Sequence, residues 1–106
     1  MIRNELKLGG NIMSNLLDEF KKFLKQQGYR ERTPSGNPST IYCYAKSIER
    51  VCKEETIPVN ELPTHISRLV LEYDKGGIKE NKGEVGHRTV INALKKFKEF
   101  SNSEIP

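Results

Sequence analysis

Asn37-Pro38-Ser39-Thr40-Ile41-Tyr42-Cys43-Tyr44-Ala45-Lys46-Ser47-Ile48-Glu49-Arg50-Val51-Cys52 is the stretch whose reading decides the fold. Its apolar residues, Ile41, Tyr44, Ala45, Ile48, Val51 and Cys52, recur at the spacing that gathers side chains on one face of an α-helix. A strand would alternate at every second residue instead. Asn37 can accept a hydrogen bond from a first-turn amide, and Pro38 stands where a missing N–H is harmless, so the helix is expected to start here. It is expected to end near Glu55, because Pro58 biases Ile57 away from the helical region.

The same period extends in both directions. Upstream, Leu16, Leu17, Phe20, Phe23 and Leu24 form a stripe, with Ser14 or Asn15 as cap, Asp18 and Glu19 at the positive end of the dipole, and Gly28 as the stop. Tyr29 to Gly36 reads as a loop around Thr33-Pro34-Ser35-Gly36. Downstream, Asn60-Glu61-Leu62-Pro63 reads as a turn into a third helix capped by Thr64, which buries Ile66, Leu69, Val70 and Tyr73 and stops at Gly76-Gly77. A glycine- and charge-rich loop then runs to Gly86. The fourth helix runs from about His87 to Ser101, with Val90, Ala93, Leu94, Phe97 and Phe100 inward. No segment alternates as a strand would. The expectation is an all-α, compact domain of four crossed, near-orthogonal helices over residues 14–101, with a loose leader at 1–13 and a tail at 102–106.

With 106 residues the chain has room for one domain. Hydrophobic residues make up 35% and charged residues 30%, a balance of soluble globular domains rather than of disordered chains. No apolar run approaches the roughly 20 residues of a membrane span. The stretch from Met1 to Leu8 is broken by charges and lacks the apolar core of a secretory signal, so a cytoplasmic location and no membrane partner are expected.

Cys43 and Cys52 lie nine residues apart in one helix. At about 100° per residue they point to opposite sides and cannot bridge. Neither has a Cys or His neighbour at metal-ligand spacing, so no metal and no cofactor are expected. Tyr29, Tyr42, Tyr44 and Tyr73 read as core or surface residues, His65 as a surface residue and His87 as a capping or phosphate-contact residue. With two histidines and two cysteines no catalytic triad is in view, and neither an enzyme nor a small-molecule substrate is expected.

The net charge of +4 permits an anionic partner, and the arrangement of the charges is more telling than their sum. Helical projection puts Lys46, Arg50 and Lys53 together opposite Ile48 and Cys52, with Ser39 and Cys43 on the same side. On the fourth helix Arg88, Asn92 and Lys95 lie opposite Val90 and Phe97, with Lys96 flanking. The first helix adds Lys22 and Lys25, and the loop after it adds Arg30 and Arg32. The third helix exposes a mixed face of Arg68, Glu72 and Lys75. Lys and Arg release counterions when they meet phosphates, while Arg and Asn can also read base edges. Glu49, Glu54, Glu55 and Glu99 dilute these faces, and a plain solvated surface is the competing explanation.

The segment from Asn37 to Tyr44, followed by Ile48, resembles the "S-P-x-T-[IL]-x-x-Y-x-x-x-[LI]" opening of the second helix in the N-terminal SAM-like (core-binding) domains of phage integrase-type tyrosine recombinases. Asn37 stands where that pattern has its Ser cap. Thr89-Val90-Ile91-Asn92-Ala93-Leu94-Lys95-Lys96-Phe97-Lys98-Glu99-Phe100 is similar to the family's closing helix, "T-[VI]-N-x-x-L-x-x-[LF]-x-x-F", with small shifts in spacing. The resemblance also takes in the first helix, from Leu16 to Leu24, and the approach to the third at Leu62 and Ile66. It implies a non-catalytic module that grips double-stranded DNA through its second and fourth helices. Thr40, Lys46, Arg50, Arg88, Asn92, Lys95 and Lys96 are then the contact positions, and face projection adds Lys53. A catalytic recombinase subunit or domain is a further implied partner, because the tyrosine nucleophile of the family resides in a separate domain for which this chain has no room. The alternative is a protein-interaction module or small regulator on the same helical scaffold, with Leu71 and Ile91 as apolar contacts.

Overall fold

The computed structural model describes the backbone of residues 5–104 and the side chains of residues 16–103, and holds five α-helices among them. They are α1 (Glu5–Gln26), α2 (Thr40–Glu55), α3 (Leu62–Tyr73), α4 (Glu80–Gly83) and α5 (Val85–Glu104), with a 3-10 turn at Val59–Glu61. Among the described residues there is no strand, only an isolated antiparallel bridge between Arg32 and Pro38. The fold is all-α. The four expected helices are α1, α2, α3 and α5, and α4 is a single turn inside the segment read as loop.

The helix starts differ from the sequence reading. α1 begins at Glu5 and runs through Gly9 and Gly10, ahead of the Ser14 or Asn15 cap. Glycine weakens a helix by about 1 kcal/mol relative to alanine but is sterically free to adopt it. Residues 1–4 of the expected leader lie outside the described residues. In α2 the N-cap is Ser39, not Asn37. The amide of Asn37 is held by the Thr33 hydroxyl and its carbonyl by the Thr33 amide, so local turn bonds claim the residue that reads as a cap. In α3 the helix starts at Leu62, with Pro63 in its first turn. The preceding 3-10 turn feeds directly into it, and the expected Thr64 cap is interior.

The core joins all four long helices. Phe20, Phe23 and Leu24 of α1 meet Ile41, Ile48 and Val51 of α2, Leu62, Ile66, Leu69 and Tyr73 of α3, and Val90, Ile91, Leu94, Phe97 and Phe100 of α5. Phe20 lies with its ring centroid 5.1 Å from Phe97 and 5.6 Å from Phe100, both tilted, an arrangement in which ring edges meet ring faces. Val70 and Tyr44, expected inward, are only half-buried at the margin. Ile91, read as an edge residue available for a partner, is fully buried, whereas Leu71 is 74% exposed. Ile91 is covered because α5 packs on both α2 and α3, which widens its apolar face beyond one stripe.

A second tie is polar. The Tyr73 hydroxyl donates to Glu55 Oε2 (2.8 Å), and Lys79 Nζ donates to the same oxygen (2.6 Å) while lying 3.3 Å from Glu72. Burial alone would raise the Glu55 pKa, but the hydrogen bonds from Lys79 and Tyr73 outweigh it and hold the carboxyl below its ordinary value. The end of α2, the end of α3 and the segment before α4 are thereby fastened at one carboxylate.

α4 approaches α3 so closely that a side chain does not fit at Gly83. A Cβ there would lie 1.9 Å from the Tyr73 carbonyl oxygen and 3.3 Å from the Ile91 Cβ. On an exposed helix Gly→Ala stabilises by about 1 kcal/mol. Here Gly83→Ala is expected to destabilise by about 1–3 kcal/mol, since backbone atoms must shift to admit the methyl. Urea melts of the two proteins decide the sign. Chemical labelling provides a second check of the packing. Burial, with the Glu49 charge adding to it, pushes the Cys52 thiol up to about 11. In native protein at mildly alkaline pH an alkylating reagent is expected to label the half-buried Cys43 first and Cys52 only on unfolding, as read by mass spectrometry.

Candidate nucleic-acid interface

α2 and α5 pack side by side. Tyr44 shares a shallow depression with Asn92, Lys95, Lys96 and Glu99. Further along, Tyr42, Cys43, Lys46, Ser47 and Arg50 line a groove with Val85, Gly86, Thr89 and Val90. Two depressions thus lie along the seam where α2 and α5 meet. Lys46 and Arg50 of α2 border one, and Asn92 and Lys96 of α5 border the other.

The remaining expected positions are distributed elsewhere. Thr40 opens α2, half-buried, and Lys53 is exposed near its other end. Thirteen residues of helix separate them by about 20 Å. Arg88 and Lys95 turn toward α3 and converge on Asp74, Arg88 Nη2 at 3.1 Å from Oδ1 and Lys95 Nζ at 3.1 Å from Oδ2. Arg88 also pairs with Glu84 at 2.6 Å. The backbone amide of Lys75 and the side chains of Lys95 and Arg88 hydrogen-bond to Asp74 and hold its pKa down to about 2. Asp74 sits in a polar segment before Lys75-Gly76-Gly77, and nothing in its spacing marks it as the partner of two distant cations.

Arg88 also belongs to an unusual turn. Gly86, His87 and Arg88 are all left-handed, with φ of 68°, 57° and 70°. For a residue with a Cβ this conformation costs roughly 1–2 kcal/mol. The turn is held by the Arg88 amide, which donates to the Glu84 carbonyl (2.9 Å), by the two ion pairs of Arg88, and by the Thr89 hydroxyl, which donates to the Gly86 carbonyl. The regular part of α5 thus starts at Thr89, and exposed His87 stands in the turn rather than at a cap. The sequence reading ended the loop at Gly86 and began the helix at about His87, two residues early, without the left-handed turn.

Cations along the seam have looser partners. Lys46 lies 3.6 Å from Glu49 and Arg50 3.3 Å from Glu54, both between exposed side chains. Lys53 has no ion-pair partner among the described residues. Lys96 is held more firmly, by Glu99 and by the Gln27 side chain at 2.9 Å each, with its ammonium 5.4 Å from the centre of the Tyr29 ring. Exposed pairs contribute about 0–1 kcal/mol each, so an incoming phosphate can displace them. Among the described residues no three His, Cys, Asp or Glu side chains gather as a metal site would need, and no helix is long and apolar enough to cross a membrane.

The Asp74 site carries a pH signature. Its folded pKa lies below the ordinary carboxylate value of about 3.9. The stabilisation it supplies is therefore complete above that value and is lost as pH falls through about 2. The stability gap between wild type and Asp74→Asn, measured by urea melts, is expected to be constant near neutrality and to close over that acid window. A gap that persisted below pH 2 would show that the charge of Asp74 is not what holds the two cations.

No family model, no curated protein and no solved structure matches the chain.

Proposed function

We propose that this domain binds double-stranded DNA along the seam between α2 and α5, as a non-catalytic module akin to the core-binding domain of a tyrosine recombinase. The supporting observation is the pairing of the two helices. Lys46 and Arg50 border one depression between the helices and Asn92 and Lys96 a second beside it, and the ion pairs of Lys46 and Arg50 are exposed and weak. The motif likeness at Asn37 to Ile48 and Thr89 to Phe100 points to the same two helices. In this reading Lys46, Arg50 and Lys53 meet phosphates, Asn92 is the residue suited to a base edge, and Lys95 joins after exchanging Asp74 for a phosphate. Arg88 acts as a strap for the left-handed turn. No step of catalysis is assigned to the domain, and strand cleavage falls to a separate recombinase subunit or domain.

Four phosphate contacts give a slope of log K against log salt of about −3.6. In fluorescence anisotropy with a duplex oligonucleotide, Lys46→Gln/Arg50→Gln is expected to flatten that slope by about 1.8 and to weaken binding at low salt. Circular dichroism checks that the variant is folded. A duplex affinity that ignores both salt and the substitutions refutes the proposal. Amide shifts clustered instead around exposed Leu71 and Ile78, and growing with protein concentration, would favour the protein-interaction reading.

A further inference from the structure

The densest group of cations lies outside the α2–α5 seam. Lys21, Lys22 and Lys25 from the last turns of α1 face Arg30 and Arg32 from the loop that follows, around a cleft of about 360 Å³ that Tyr29, Glu31 and Ile41 also line. Ile41 is 3% exposed and so lies at its base. Against five cations, Glu31 is the one acidic residue in the lining. It reaches Lys21 only at 4.0 Å, while Lys22 turns to Glu19 at 3.3 Å. Lys25 and Arg30 have no ion-pair partner among the described residues.

The loop side of the cleft is fixed by its own backbone. The Ile41 amide donates to the Arg30 carbonyl (2.9 Å) and the Ser39 amide to the Glu31 carbonyl (2.9 Å), while Arg32 bridges to Pro38. The Arg32 guanidinium donates to the Gly36 carbonyl (3.3 Å) and rests 5.0 Å from the centre of the Tyr42 ring. The backbone that carries Arg30 and Arg32 is thus set before any ligand arrives, and the ordering cost left on binding is that of the side chains. Like charges gathered in a concave, partly apolar site raise the local potential and favour a multiply charged anion over a monovalent one.

We propose that this cleft binds a compact polyphosphate group, either the phosphate chain of a nucleotide or a free polyphosphate. Guanidinium from Arg30 and the three lysine ammonium groups supply charge-assisted hydrogen bonds to the phosphate oxygens. Ile41 and Tyr29 offer an apolar side to whatever uncharged group the phosphates carry. The proposal does not rest on the DNA reading, because none of the five cations of the cleft lines the depressions between α2 and α5, and only Arg32 reaches a residue there, Tyr42.

Titration of the full chain, followed by amide chemical shifts and by calorimetry, tests it with pyrophosphate, tripolyphosphate, ATP, adenosine and a duplex oligonucleotide. The polyphosphates and ATP are expected to shift amides over residues 21–32, and adenosine is expected to leave them unmoved. Lys25→Gln/Arg30→Gln, both exposed positions, is expected to weaken tripolyphosphate at least about tenfold, while Lys46→Gln/Arg50→Gln leaves it unchanged. ATP binding tighter than tripolyphosphate assigns the site to a nucleotide, and equal affinity assigns it to a free polyphosphate chain. Either outcome supports the cleft as a polyphosphate site. Silence at residues 21–32 with every phosphate probe overturns the proposal, as do shifts there produced by the duplex alone.

Discussion

α5 buries half of its circumference, and the rest of the fold is arranged around that demand. Val90, Ile91, Ala93, Leu94, Phe97, Phe100 and Ser101 are all buried, and at about 100° per residue they sweep an arc of about 180°. A surface helix of a small domain usually buries a narrower stripe. One neighbour cannot cover so wide an arc, so α2 and α3 close on α5 from two sides while Phe20 and Phe23 of α1 approach Phe97 and Phe100. The polar half that remains holds Arg88, Asn92, Lys95 and Glu99.

Periodicity was enough to find the long helices, because their apolar stripes satisfy the same geometry in any context. It was also enough to list most of the core. It failed where tertiary contacts decide. Ile91 looks marginal on one stripe and is central once two neighbours share the helix. Asn37 has the chemistry of a cap, but the turn from Thr33 uses its backbone first and passes the cap to Ser39. The boundary at Gly86 was legible to within two residues, but the left-handed turn was not, since His87 and Arg88 have no preference for that backbone and are held there by ion pairs and hydrogen bonds made after folding.

The candidate surface was legible in the same partial way. Projection can say which cations avoid the core, and it placed Lys46, Arg50, Lys53, Asn92 and Lys95 correctly on exposed faces. It cannot say what each cation meets across space. Arg88 and Lys95 read as members of one basic face, yet both lean on Asp74 of the neighbouring helix end. Conversely, Lys21, Lys22, Lys25, Arg30 and Arg32 belong to a helix and a loop that no single projection unites, and only the folded chain brings them around one cleft. Energetics then separates the two kinds of cation. A charge held by two carboxylates and a strained turn is costly to move, whereas one beside a single solvated glutamate is available.

The order of the helices along the chain has a consequence during synthesis. α5, which every other long helix needs as a packing partner, is the last of them to leave the ribosome. Translation proceeds at roughly 5–20 residues per second, so several seconds pass in which α1, α2 and α3 exist without it. During that interval Phe20, Ile48, Leu69 and Tyr73 have no complete burial site. The apolar stripes of the three earlier helices are therefore completed only when the segment from Thr89 to Glu104 docks on them.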